Sequence, residues 1–418
     1  MHYFAYHAGE LYCEEVPIRE IVEKFGTPVY VYSGKTIRRH YKVFDSAFKE
    51  IDHLTCYSVK ANSNLAILAL LAREGAGADI VSKGELYRAL KAGFPPQKIV
   101  FSGVGKTVDE IEMALKAGIL MFNVESLDEL SLLGDIAKSL KIKASFALRA
   151  NPNVDPKTHP YISTGLRKNK FGIPEEDIIP AYLKTKDNPY LEALGLDAHI
   201  GSQLITISPF VDAIKRLRAL YEELLSLGFN LKYLDVGGGL GIPYDQEEPP
   251  LPEEYSSALI RELKGLELTL ILEPGRVIVG NAGVLVTRVL FTKSNREKNF
   301  IIVDAGMNDL IRPSLYQAYH RIIPVYDRDG ETLIADVVGP VCESGDFFAK
   351  DRKISAVKAG DLLAIMSAGA YGFVMSSNYN SRPRPAEVLV EGDQFFLVRK
   401  RETLDDLISH EEIPALYL

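Results

Sequence analysis

The chain has 418 residues, 47% hydrophobic and 25% charged, enough for two or three domains with sizeable cores and ordinary for a globular protein. Its net charge of -8 argues against nucleic acid or an anionic membrane as the main partner, while leaving room for a local basic pocket that takes a small anion. Residues 1–14 lack a basic segment followed by an apolar run, and the longest apolar stretch, 65–72, is too short to span a bilayer, so neither a signal peptide nor a membrane span is expected, and three scattered cysteines suit a reduced, cytoplasmic setting.

Residues 1–33 are strand-like around Pro28-Val29-Tyr30-Val31-Tyr32 and precede a long alternating region. From about residue 50 to 275, β-rich runs at 54–60, 78–82, 99–102, 120–124, 143–149, 193–200, 233–236 and 268–273 alternate with amphipathic stretches such as 65–73, 84–92, 108–117 and 210–227. Such alternation implies parallel strands joined by crossover helices. Eight strands in this span suit a (β/α)8 barrel of about 250 residues, with a doubly wound open sheet as the competing topology. The connection 151–173 is long, polar and rich in Pro, Asn and Lys, and reads as a mobile lid or as an excursion without function. After Gly275 the texture changes. β-rich runs at 282–291, 299–303, 333–338, 361–366 and 387–390 lack intervening helices and predict an antiparallel β-sandwich-like domain, with a helical exception at 308–320. The expected domains are therefore 1–33, whose strands join the β domain, a barrel over 34–278, and a β domain over 279–418 that contributes to the active site.

Active sites of such barrels lie at the carboxyl ends of the strands, and four clusters fall there. Lys60, in Tyr57-Ser58-Val59-Lys60-Ala61-Asn62, is either a solvated strand-end lysine or a partly desolvated amine able to attack an aldehyde. His199, in His199-Ile200-Gly201-Ser202-Gln203, is either a histidine satisfied in the rim or a ring stacked on a planar cofactor, with Gly201 and Ser202 offering donors to a phosphate. The run Gly237-Gly238-Gly239-Leu240-Gly241 is a tight turn or a backbone cradle for an anion, and its place after the seventh strand favours the cradle. It does not have the spacing of a dinucleotide fingerprint. In Glu273-Pro274-Gly275-Arg276, Gly275 and Arg276 could complete a phosphate site. Glu273 could hold a pyridine nitrogen protonated, or form an internal ion pair with Arg276.

The β region holds two more clusters. Cys13, Cys56 and Cys342 match no zinc or disulfide spacing, so neither a metal site nor a disulfide is expected. Cys342, in Cys342-Glu343-Ser344-Gly345-Asp346, is a small buried hydrophobe or a thiol of pKa ~8.5 able to donate a proton. The small residues of Ala368-Gly369-Ala370-Tyr371-Gly372 would let Tyr371 approach a ligand closely, if it is more than a tyrosine beside a turn.

Taken in order, the segments 57–62, 77–85, 150–172, 199–203, 237–241, 273–276, 342–346 and 370–372 resemble the fold-type III pyridoxal-phosphate decarboxylases, and among them the diaminopimelate-specific branch. The resemblance implies pyridoxal 5'-phosphate as cofactor, bound in the barrel, and a homodimer with active sites shared across its interface. It implies that Lys60 holds the cofactor as a Schiff base and His199 stacks on its ring. Ser202, Gly239, Gly275 and Arg276 would hold the phosphate, Glu273 the pyridine nitrogen, and Tyr371 would line the cofactor. Arg276, Arg312, Tyr316 and Tyr371 would meet substrate. Glu343 and the proton donor Cys342 would enter from the second subunit. The implied reaction is decarboxylation of meso-2,6-diaminopimelate at its D centre to L-lysine and carbon dioxide, the last step of lysine biosynthesis. A racemase on this scaffold would carry an arginine where Glu273 stands, and a silent relative would have lost Lys60 or Cys342.

Overall fold

The computed structural model describes residues 2–155, 158–162, 164–166, 169–327 and 330–417. Two compact units make up the chain: Arg38–Ile278, and Met1–Ile37 together with Val279–Leu418.

In the first unit eight parallel strands form a closed barrel: His53–Ser58, Gly77–Ile80, Ile99–Phe101, Met121–Val124, Ala144–Asn151, Leu191–Asp197, Tyr233–Asp235 and Thr269–Leu272. Each pairs with the next, and the eighth pairs with the first, aligning Leu270 with His53 and Leu272 with Thr55. Closure excludes the open doubly wound sheet. Helices follow the strands, and their starts are set locally. Ser82, Thr107 and Ser126 cap Lys83–Ala92, Val108–Ala117 and Leu127–Leu140 by accepting backbone N–H bonds, and left-handed Gly93 and Gly118 end the first two.

Side-chain alternation divides the barrel interior into two layers. Cys56, Val100, Met121, Ala147, Leu194 and Ile271 form an apolar cluster across six strands. Two residues further along the strand path, or three past Leu194, where the pairing shifts register, the interior turns polar, and with Asp79 and Asp235 the ring comprises Ser58, Asp79, Ser102, Asn123, Arg149, Asp197, Asp235 and Glu273, all buried. Every strand contributes one member of this upper ring. The strands end one to three residues earlier than the sequence suggests at several positions, so Lys60 lies in a 3-10 turn, Val59–Ala61, after the first strand.

The second unit is built on a sheet whose central strand, Gly283–Ser294, pairs antiparallel with Val29–Ser33, Leu362–Ile365 and Asn299–Val303. Most pairings are antiparallel, but Asn299–Val303 runs parallel to Thr332–Val338, and Val29–Ser33 parallel to Ala386–Glu391. Its core gathers Leu11, Ile18, Val29, Val31, Val284, Val286, Ala364 and Val388. Several elements differ from the sequence expectation, among them the strands Ile322–Pro324 and Gln394–Arg399 and the helix Leu404–Ile408, which it did not include. Residues Ile18–Phe25 form a helix that buries Ile18, Ile21 and Val22. The helix expected over 308–320 contracts to Arg312–Tyr316, because Pro313 opens it and left-handed Gln317 closes it. The strand Phe347–Ser355 went unread because its charged middle, with Asp351 at φ 47°, breaks the alternation.

Among the described residues no helix is long and apolar enough to cross a membrane. Of the connection 151–173, residues 156, 157, 163, 167 and 168 lie outside the described residues. The remainder is tied down, with Asn151 Nδ2 donating to the carbonyls of Leu166 and Phe171, and Thr164 Oγ1 to that of His199.

Candidate active site

The polar ring of the barrel is a connected network. Lys60 Nζ lies 2.5 Å from Asp79 Oδ2, and Ser58 Oγ lies 2.8 Å from the same oxygen and 2.9 Å from the Glu273 carbonyl. Asn123 Nδ2 is 3.0 Å from Asp235 Oδ2, 3.4 Å from Glu273 Oε1 and 3.1 Å from Ser102 Oγ, so one amide group bridges two carboxyls. Gly237 N–H donates to Asp235 Oδ1. Arg149 pairs with Glu125 at 2.6 Å and donates to the His199 carbonyl, while Glu125 also accepts from Gly103 N–H and Gly172 N–H.

So many buried acids cannot all ionise cheaply. Burial and the Asp235 charge push the Glu273 carboxyl well above its usual range; burial and Glu273 do the same to Asp197. Asp235 is pushed up to about 7 by burial and by Asp197. His199 goes the other way. Burial, then the charges of Arg149 and Lys60, hold its pKa well below the usual value, and Gly238 N–H donates to Nδ1, so the proton of the neutral ring sits on Nε2.

These shifts predict a pH dependence of the cofactor-free protein. An acid whose pKa is raised on folding keeps its proton where the unfolded chain has lost it, so its contribution to stability declines as pH rises. For Asp235 the window runs from about 3.9, the unperturbed value, to about 7. Denaturant unfolding across that window should show a steeper loss of stability in the wild type than in Asp235→Asn. Equal slopes would show that this carboxyl is already ionised in the folded barrel.

The glycine run is a close-packed cradle. A Cβ at Gly237 would come within 2.4 Å of His199 Nδ1, at Gly238 within 2.1 Å of the Glu273 carbonyl, and at Gly239 within 2.5 Å of the Gly201 carbonyl. A Cβ at Gly275 would meet Ala61 and Ser58 at about 3 Å. Arg276 donates to Ser202 Oγ at 3.0 Å and to Tyr244 OH at 2.7 Å. Ser202, Gly239, Gly275 and Arg276 thus belong to one rim, together with Lys60, His199 and Glu273. Gly239→Ala combines a backbone clash with a φ of 118°, and should cost about 1–3 kcal/mol and weaken cofactor retention. Thermal unfolding and cofactor content after dialysis measure both; an unchanged pair of values would mean the cradle tolerates a methyl group.

The barrel residues suit a phosphorylated pyridine aldehyde: a lysine amine, a glycine-lined turn beside Ser202 and an arginine, and a neutral imidazole. Asp79 Oδ1 and Asp197 Oδ1 are buried with no hydrogen-bond partner among the described residues, so the ring of acids has acceptor capacity to spare.

The remaining expected residues belong to the other unit. Arg312 is buried, Tyr316 and Tyr371 are half-buried, and Cys342 and Glu343 are exposed. The Cys342 loop is pinned at both ends. Asp346 Oδ1 and Oδ2 accept from Met307 N–H and Val341 N–H, and Cys342 N–H donates to Asn380 Oδ1 at 2.9 Å. Ser314, within the Arg312–Tyr316 helix, donates to the Gly345 carbonyl, which joins that helix to the cysteine loop. Tyr371 has φ 54°, a costly conformation for a bulky residue, stabilised by a turn in which Gly369 and Gly372 have no room for a Cβ.

Sequence reasoning named the rim but passed over Asp79, Ser102, Asn123, Arg149, Asp197 and Asp235. A signal was available: in Gly-Ala-Asp79, Val-Phe-Ser102, Met-Phe-Asn123, Ala-Leu-Arg149, Gly-Leu-Asp197 and Tyr-Leu-Asp235 a polar residue follows a small or apolar one at a spacing of two, as it does at Ser58 and Glu273.

Comparison with known proteins agrees with this geometry. Residues 34–280 match the family described as pyridoxal-dependent decarboxylase, pyridoxal binding domain. A diaminopimelate decarboxylase of Vibrio cholerae is 54% identical over 415 residues, covering 99% of both chains. One from Pseudomonas aeruginosa is 53% identical over 98% of this chain and 99% of its own. The crystal structure of diaminopimelate decarboxylase from Helicobacter pylori, complexed with L-lysine, superposes with a TM-score of 0.92 at 48% identity, covering 94% of this chain and 99% of that one. With relatives this similar over their whole length and a pyridoxal-binding barrel to match, the chain belongs to the diaminopimelate decarboxylase family of fold-type III pyridoxal-dependent enzymes.

Proposed function

We propose that the protein decarboxylates meso-2,6-diaminopimelate at its D centre, yielding L-lysine and carbon dioxide as the last step of lysine biosynthesis. One observation carries the reading: Lys60, Glu273 and the Gly237–Gly239 cradle belong to a single barrel rim, in a chain about half identical to named diaminopimelate decarboxylases over full length.

Bound pyridoxal phosphate supplies an aldehyde for an amine and a ring that takes up the electron pair left by the departing carboxylate. Lys60 would be the amine that holds it, and Asp79, 2.5 Å away, is the carboxylate paired with that amine. Glu273 would hold a proton at the ring nitrogen by pairing with it as a carboxylate, the nitrogen's charge offsetting the burial that otherwise pushes this carboxyl's pKa up. Ser202, Gly239, Gly275 and Arg276 would hold the phosphate, and His199, held neutral, would serve the ring without adding charge. Cys342 delivers the proton that replaces carbon dioxide on the substrate carbon. The distal end of the substrate is itself an amino acid head. Glu343 pairs with its ammonium, and Arg276 or Arg312 with its carboxylate, with Tyr316 and Tyr371 alongside, which rejects amino acids lacking that second head.

The exposure of Cys342 and Glu343 suits a homodimer in which each subunit lends both residues to its partner. The free cysteines fit a reducing, cytoplasmic setting. The deciding experiment incubates the holoenzyme with meso-diaminopimelate and follows carbon dioxide and L-lysine. Stoichiometric release of both is expected; D/L exchange without carbon dioxide would make the protein a racemase.

A further inference from the structure

We infer that His320 is a positioning residue for Arg312, setting the direction of the guanidinium that pairs with the retained carboxylate of the substrate. The inference rests on the assignment of Arg312 to that carboxylate. His320 is fully buried and follows the helix Arg312–Tyr316 by four residues. Its Nδ1 lies 2.8 Å from the Met366 carbonyl, which can only accept, so Nδ1 carries the proton and Nε2 presents a lone pair. Arg312 Nε donates to that lone pair at 3.3 Å. The imidazole therefore bridges two pieces of chain: the arginine of a five-residue helix, and the end of the strand Leu362–Ile365, from which the turn carrying Tyr371 departs. The histidine is itself anchored, since Arg352 donates to its carbonyl at 3.0 Å and stacks on the neighbouring Tyr319.

Arginine reads a carboxylate best through two N–H groups in one plane. Binding Nε to His320 aims the opposite Nη1–Nη2 edge away from the imidazole and fixes the plane of the guanidinium before a ligand arrives. A side chain with several rotatable bonds then loses less freedom on binding. Nothing in this arrangement touches the carbon that loses carbon dioxide, so the effect belongs to substrate affinity.

The test uses holoenzyme and three variants. His320→Leu removes both hydrogen bonds while keeping an apolar filler, His320→Gln can restore an acceptor for Arg312 and a donor for Met366, and Arg312→Met removes the guanidinium. His320→Leu should raise KM for meso-diaminopimelate about 10- to 100-fold, as expected for a lost hydrogen bond to a charged group, with kcat falling by less than about threefold. His320→Gln should recover most of the loss. Affinity for L-lysine, which keeps the carboxylate, should fall in parallel, whereas affinity for cadaverine, which lacks it, should hold. In the Arg312→Met background, His320→Leu should add nothing. An unchanged KM in His320→Leu, or equal losses for lysine and cadaverine, overturns the inference while leaving Arg312 in place. Should His320→Leu fail to fold, His320→Phe, which likewise offers Arg312 Nε no acceptor, takes its place, and an unchanged KM in that variant overturns the inference equally. An unchanged KM in Arg312→Met would instead overturn the assignment of Arg312 itself, and the inference with it.

Discussion

Replacing Lys60 with alanine is expected to lower turnover of meso-diaminopimelate by about 10⁴-fold or more, the upper end of the range for one acid–base group, because its proposed role is that of the covalent nucleophile as well. The variant should also lose the visible absorbance of amine-bound pyridoxal, which is read independently of turnover. The fold should survive. Lys60 is about one-third exposed, in a turn beyond the strand, and its Asp79 partner keeps the hydroxyl of Ser58. An intact visible band in Lys60→Ala would place the nucleophile elsewhere. Lys60→Arg separates charge from nucleophilicity: it keeps a cation beside Asp79 but offers no free amine, so it should be as inactive as the alanine variant.

Cys342→Ala should leave the absorbance of bound cofactor intact while reducing turnover by about 10²- to 10⁴-fold, the contribution of a general acid. Its structural cost should be small, because the thiol is exposed and the loop is held through the Cys342 backbone, by Asn380, and through Asp346. Wild-type turnover would take the thiol out of the reaction. The two substitutions can also be combined. If each site uses Lys60 from one chain and Cys342 from another, mixing Lys60→Ala with Cys342→Ala protein should regenerate some active sites carrying both groups. Verified exchange of subunits with no recovered activity would confine each site to one chain.

The electrostatics of the barrel explain why these two residues have different settings. Lys60 faces Asp79 in an interior where five carboxyls, those of Asp79, Glu125, Asp197, Asp235 and Glu273, are buried with the cations Lys60 and Arg149 close by. Such an excess of acid is costly unless protons are retained, which burial does for Asp197, Asp235 and Glu273. On the proposed reading, a cationic ring nitrogen against Glu273 would relieve part of that cost, so these residues would favour a protonated pyridine. Cys342, by contrast, is exposed in the single chain.

Strand–helix alternation, the eightfold count and the glycine run could all be read from the chain, because each is a local property: hydrophobic period, turn chemistry, or a residue type that a backbone position requires. The order of motifs along the chain likewise points to Lys60, His199, Gly239, Glu273 and Arg276. What the sequence alone did not disclose were relationships formed by distant segments. Asn123 bridges Asp235 and Glu273 only because closure of the barrel aligns the third residue of one short strand with the ends of two others. His320 meets Arg312 only because a left-handed Gln317 turns the chain back after one helical turn, where periodicity predicted the helix would continue. The parallel pairing of Val29–Ser33 with Ala386–Glu391 joins strands some 350 residues apart, and no local pattern encodes a partner at that distance. Hydrophobic periodicity determines which face of each element is buried; the tertiary fold decides which polar groups then share the buried space, and with it where protons reside.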